Sequence, residues 1–254
     1  ARRVLSSLQA AAPRVHEALG HAPRGRTHVV VAHRSDQPGV FTFEYPHRQI
    51  FFDIALPHWG IGLNDYGDWH DWLLTHEYTH VVHADMRSGL YRPLSAVFGS
   101  WVRPNVAAPL WAREGLAVRL ESSLTPRGRG ESSTYRMMTR MAAAEGLLGD
   151  PAFAAKDTVS SLEATSWPWT VRPYLMGYHL MRTMEERRKS AIQDFVRASA
   201  GGFPFSLNPA LRAAGFESFD ALWDSTLARL RAEADRALAA LAGEPLTPLE
   251  RLTE

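Results

Sequence analysis

The chain has 254 residues, 45% hydrophobic and 22% charged, which is long enough to bury a real core and excludes a disordered or low-complexity polypeptide. Its 28 basic and 27 acidic residues leave a net charge of +1, so no broad positive field is available to hold nucleic acid or an anionic membrane. Cysteine is absent, which removes disulfide scaffolds, thiol catalysis, thiolate zinc sites and iron–sulfur clusters together.

Residues 4–19 carry Val4, Leu5, Leu8, Ala12, Val15 and Leu19, an apolar stripe at helical spacing that stops at Gly20. Three β-like runs follow, Thr27–His33, Val40–Tyr45 and Gln49–Ala55, separated by the turn-rich segments SDQPG and PHR. Asn64–Trp69 reads as a polar turn, with Asp68 as N-cap of a helix running to about Arg87. Between Ser88 and Pro109, three prolines and two glycines predict a long ordered loop with one helical turn at 94–99. Helical patterns resume at 111–122, 131–146, 174–188, 190–199 and 216–241, and Gly243–Glu254 reads as a linker or tail. Strands come early and helices dominate afterwards, which predicts an α+β architecture. No apolar run approaches the roughly 18 residues a membrane span needs. A first residue Ala1 is compatible with removal of an upstream segment such as a signal peptide.

The chemistry concentrates in Leu73–Val82, LLTHEYTHVV, which contains His76-Glu77-Tyr78-Thr79-His80. On a helix, residues four apart share a face, about 5–6 Å between Cβ atoms. Two imidazoles so placed can converge on one cation at roughly 2.0–2.1 Å. Glu77 sits about 100° around the helix from His76, beside the ligand line, where a carboxylate can accept a proton from a metal-bound water. Such a string arises by chance in roughly 3% of chains of this composition, so a second motif is needed.

Catalytic zinc sites have three protein ligands and an open position. His83 points well away from the line bisecting His76 and His80, and His83 with Met86 does not continue the metzincin pattern. Downstream comes Trp111-Ala112-Arg113-Glu114-Gly115-Leu116-Ala117-Val118-Arg119-Leu120-Glu121, with 33 residues between His80 and Glu114. Glu114 can supply an oxygen from a second helix, with Gly115 permitting close helix approach. By itself the same segment also reads as an ordinary amphipathic helix with a first-turn carboxylate.

In HEYTH at 76–80, WAREGLAVRLE at 111–121 and YLMGY at 174–178, the chain resembles the gluzincin metallopeptidases, most of all the aminopeptidase-N-like branch and the bacterial peptidase MA-like domains. The resemblance implies a Zn²⁺ cofactor held by His76, His80 and Glu114, with Glu77 as general base. Glu121 matches a further family glutamate. Tyr174, in Tyr174-Leu175-Met176-Gly177, matches a tyrosine that stabilises the oxyanion, and Tyr178, one turn on, ranks behind it. Val118 stands where the thermolysin-like branch has an aspartate, and the interval to the third ligand is longer than usual. The exopeptidase amine-binding motif is missing, which removes the main reason to expect aminopeptidase specificity.

The fold expected from the resemblance is zincin-like: a single peptidase domain over 1–242, with sheet and active-site helix in 27–110, a helical subdomain in 111–242 and a tail at 243–254. The expected reaction is peptide-bond hydrolysis, with a peptide or protein as substrate and no nucleic acid as partner. Family habit adds a secreted, periplasmic or cell-envelope location and a neighbouring β-propeller. A structural-metal interaction module and a zinc hydrolase of non-peptide substrates remain open alternatives.

Other features suggest less. Trp59, Trp69, Trp72, Trp101, Trp111, Trp167 and Trp169 read as core or loop anchors rather than a substrate cleft. Pro126–Gly130 reads as a solvated loop, and His58, His70 and His83 as separate surface residues rather than a second metal site. Strand Gln49–Ala55, if it edges the cleft, could pair with an extended peptide.

Overall fold

The N-terminal stripe forms a helix over Arg2–Leu19 (α1) in the computed structural model, which describes residues 2–33, 39–53, 69–126, 128–150, 160, 167–203 and 206–244. Its buried face is Val4, Ser7, Leu8, Ala11, Val15 and Leu19, while Leu5 is exposed. At 100° per residue the buried positions fall within an arc of about 120° centred on Val4, and Ala12 and Leu5 lie outside it, about 20° and 40° beyond Leu19.

Three short strands follow: β1 His28–Ala32, β2 Gly39–Phe43 and β3 Gln49–Asp53. Their order is β1-β3-β2, with β1 parallel and β2 antiparallel to β3. Strand β3 is therefore central, which corrects the expectation that it edges a cleft; β2 holds that edge instead. Burial shows why, since Ile50, Phe52 and Asp53 of β3 are buried whereas Phe41 and Phe43 of β2 stand in solvent. Residues 54, 55, 58, 59 and 64–68, including the expected cap Asp68, lie outside the described residues, as do 245–254 of the tail.

Helix α2, Trp69–Asp85, is buried on nearly every side, with 12 of its 17 residues inaccessible. Leu74 and Val81 pack with Val4 and Leu8 of α1 and with Val40, Ile50 and Phe52 of the sheet. Val82 faces the opposite way, into a larger helical core built around Trp111, Leu116, Met181 and Trp223. Its threonines return their hydroxyls to the helix, Thr75 to the Asp71 carbonyl at 2.6 Å and Thr79 to that of Thr75 at 2.8 Å.

The segment expected as a loop contains helix α3, Tyr91–Phe98, and two 3₁₀ turns, Gly99–Trp101 and Pro104–Ala107. Pro93 lies in the first turn of α3, where its missing N–H has no intrahelical partner to lose. The remaining helices are α4 Leu110–Leu124, α5 Ser133–Ala144, α6 Arg172–Arg187, α7 Ala191–Ser199, α8 Asn208–Ala213 and α9 Phe219–Leu241. The short α8 is absent from the sequence reading. Helix α4 lies between α2 and α6. The architecture is mostly helical with one small sheet, and among the described residues no helix is long and apolar enough to cross a membrane.

Two glycines govern how closely α4 and α6 approach. A Cβ built on Gly115 would stand 2.3 Å from the carbonyl carbon of Gly177, and one on Gly177 would stand 2.4 Å from the Trp111 oxygen. Backbone therefore meets backbone at the level of Glu114.

Candidate metal centre

Helix spacing and helix crossing together assemble the site. His76 and His80 lie on one face of α2, and Glu114 reaches them from α4. The Nε2 atoms of the two histidines are 3.2 Å apart. Glu114 Oε2 lies 3.2 Å from His76 Nε2 and 3.3 Å from His80 Nε2. In a tetrahedral site with bonds of about 2.0–2.1 Å, ligand atoms stand about 3.3–3.4 Å apart. The three atoms thus outline one face of a tetrahedron of that size, and their donor set, two imidazoles and a carboxylate, suits a borderline divalent cation.

The charge balance points the same way. His80 and His76 hold the Glu114 carboxyl well below its ordinary range although burial opposes them. Burial and the Arg129 charge disfavour a proton on His76, yet hydrogen bonds to Glu114 and Glu121 prevail and raise its pKa to about 9.

Glu121 follows Glu114 by two helical turns, about 10 Å along the same face of α4. It is fully buried, and its Oε2 lies 2.9 Å from His76 Nδ1. Arg129 Nη2, a donor, also lies 2.8 Å from Nδ1, so guanidinium and carboxylate both meet that nitrogen; with the Nδ1 proton donated to Glu121, the Nε2 lone pair faces His80 and Glu114. Glu121 is itself held by Arg129, whose backbone N–H and Nε donate to Oε1 at 2.9 Å and whose Nη2 donates to Oε2 at 2.9 Å. The Arg129 guanidinium lies over the rings of Trp72 (4.9 Å) and Tyr174 (5.4 Å).

Comparison with protein-family models, with curated proteins and with solved structures finds no match for this chain.

Its own residues therefore carry the functional reading. Glu77 is buried beside the triangle, its carboxylate within 4.8 Å of both imidazoles. Thr42 of β2 donates to Glu77 Oε2 at 2.7 Å. Burial raises the Glu77 pKa, and the nearby histidines and the Thr42 bond offset only part of that rise. Tyr174, at the start of α6, stacks on the His76 ring at 6.2 Å between centroids. Burial and the Glu114 charge push its phenol upward, so it remains a protonated donor. Tyr178 is turned elsewhere and donates to Glu131 Oε1 at 2.5 Å.

Other expectations are redistributed. The 126–130 segment is not merely a solvated loop, because Arg129 pairs with a fully buried carboxylate; residue 127 lies outside the described residues. His83 is buried rather than superficial, its pKa lowered to about 3 by burial and by the His80 and Arg113 charges. His70 stacks on Phe52 and lies 13 residues before His83, about 20 Å along the helix, so the two cannot share an ion. Trp72 and Trp111 are core residues, whereas Trp101 and Trp169 are 68% and 60% exposed and anchor nothing by burial.

Arg129 and Thr42 are the site residues that sequence reasoning missed. Its flanking glycines are the one trace of Arg129 in the sequence, and only their packing gives them meaning. A Cβ on Gly128 would meet Ser122 Cα at 2.3 Å, and one on Gly130 the Tyr178 ring at 2.2 Å, so this segment is packed down onto α4 and α6.

Proposed function

We propose that this chain is a zincin-like, zinc-dependent metallopeptidase of the gluzincin type, with His76, His80 and Glu114 as the metal ligands. The observation that carries the proposal is the triangle of two Nε2 atoms and one Oε2, with edges of 3.2–3.3 Å, flanked by a carboxylate outside it. A zinc ion held there would lower the pKa of its water toward neutrality and polarise a substrate carbonyl.

The protein residues divide the remaining work. Glu77 takes the proton of the attacking water at its carboxylate and delivers it to the leaving nitrogen as the C–N bond breaks. Thr42 restrains Oε2 of that carboxylate. Tyr174 donates its phenolic proton toward the charge that develops on the carbonyl oxygen. Glu121, braced by Arg129, orients His76. Edge strand β2 carries Thr42 to this site and, among the described residues, pairs with a strand on one side only, which suits a substrate bound in extended form.

Digestion of a broad peptide library, with and without a chelator, tests the reading, and chelator-sensitive cleavage of amide bonds is the expected result. In parallel, Glu114→Ala is expected to lose most of its zinc on dialysis, because two histidines alone make an incomplete site. Full metal occupancy in that variant would assign the third ligand elsewhere. For the oxyanion donor, Tyr174→Phe is expected to lower kcat by about 10²-fold with little change in KM. Tyr178→Phe, which loses only its bond to Glu131, serves as the control, and equal effects of the two would remove Tyr174 from the chemistry.

A further inference from the structure

At the C-terminal end of α2 lies a cavity of about 860 Å³, none of whose lining residues belongs to the metal centre. Among the described residues fourteen line it, and six of them are arginines: Arg24, Arg26, Arg48, Arg87, Arg92 and Arg103. The whole chain has 28 basic residues, of which only Lys156 and Lys189 are lysines, so about one residue in ten is arginine against nearly one in two here. Among the described residues a single carboxylate, Asp85, faces them.

Asp85 is already committed. Arg48 Nη1 lies 2.6 Å from its Oδ1, and His21 Nε2 lies 3.1 Å from Oδ2. The negative end of the α2 dipole adds roughly half a charge. Six guanidiniums against one carboxylate and half a charge leave an excess of about four to five positive charges. Two of these cations are recessed, since Arg48 is 7% and Arg103 6% exposed. Arg103 Nε donates to the Ser100 carbonyl at 2.8 Å, yet its buried Nη1 has no hydrogen-bond partner among the described residues. A buried donor left unpaired beside several uncompensated cations costs stability unless something acidic completes it.

We propose that this cavity binds a small ligand bearing at least two phosphate-type groups. A single carboxylate would leave most of the charge unmatched, whereas a diphosphate carries about the charge the arginines lack. Guanidinium forks donate two N–H groups at once to a pair of phosphate oxygens. The volume lies within the ordinary range for small-molecule sites, about 300–1,000 Å³, so an organic body can accompany the anionic groups. The proposal is independent of peptidase activity.

Calorimetric titration of the full chain with inorganic pyrophosphate tests it. Saturable 1:1 binding is expected, weakening as ionic strength rises. The exposed triple substitution Arg24→Gln, Arg26→Gln, Arg92→Gln is expected to weaken binding at least tenfold, and Arg103→Gln to do so separately. The Glu114→Ala variant is expected to bind pyrophosphate as the parent does. Absence of saturation by about 1 mM, or parent-like affinity in the triple variant, would overturn the proposal. Loss of binding in Glu114→Ala would place the anion at the metal centre instead. Binding to acidic phospholipid vesicles without binding to pyrophosphate would likewise overturn it, in favour of a surface contact.

Discussion

Glu77→Gln is expected to fold and retain zinc like the parent protein while losing about 10³- to 10⁴-fold in hydrolysis, the upper range for removal of a general base. The substitution is nearly isosteric. Gln keeps an oxygen that can accept the Thr42 hydroxyl, now 2.7 Å from Glu77 Oε2, so the side chain has reason to stay in place. It also leaves His76, His80 and Glu114 untouched. On the proposed mechanism, what it removes is the capacity to hold a proton between two steps. The buried setting matters here, because burial makes the carboxylate a stronger base than it would be in water. Metal analysis and initial rates on the same preparation separate the two properties. Parent-like turnover with parent-like zinc would end the general-base assignment, and loss of both together would make Glu77 a ligand.

How much of this site was legible in the sequence follows from where periodicity operates. His76 and His80 share a face because four residues nearly complete a helical turn, and Glu114 and Glu121 share one because seven nearly complete two. Those relations are local, and the sequence states them. That Glu121 would meet the far nitrogen of the same imidazole that Glu114 approaches depends on how α4 crosses α2, which no periodicity records. Arg129 belongs to a segment whose composition resembles any arginine–glycine loop. Only the packing of Gly128 and Gly130 against Ser122 and Tyr178 distinguishes it.

The same division explains the fold. All three strands were legible from their β-branched and aromatic content, but their order was not. Parallel pairing of β1 with β3 places β3 inside and β2 at the edge, a matter of chain path between elements rather than of residue type. Pro93 read as a helix breaker, whereas its position in the first turn of α3 makes it compatible with that helix. In α1, Ser7 replaces Leu5 on the buried face, because proximity to the centre of the buried arc outweighs side-chain polarity there.

The glycine crossing of α4 and α6 yields the second large expectation. Gly177→Ala should destabilise the fold by about 3 kcal/mol or more, at or above the usual cost of overpacking a core. On an exposed helix the same change would stabilise by up to about 1 kcal/mol through propensity, so the predicted sign is itself informative. The added methyl would lie 2.4 Å from the Trp111 carbonyl oxygen and 2.8 Å from Gly115 Cα. Both are backbone atoms that cannot rotate aside, so the helices must part. Glu114 adjoins Gly115 on one helix, and Tyr174 lies one turn before Gly177 on the other. A shift of about 1 Å between catalytic groups costs on the order of 10²-fold in rate. Urea unfolding, zinc titration and peptide hydrolysis should therefore all register a substitution that alters no polar atom. Gly115→Ala should behave alike, since its methyl would meet the Gly177 carbonyl carbon at 2.3 Å. If either variant unfolds at the parental midpoint and binds zinc with parental affinity, α4 and α6 do not cross at backbone contact, and the placement of Glu114 opposite His76 and His80 loses its structural basis.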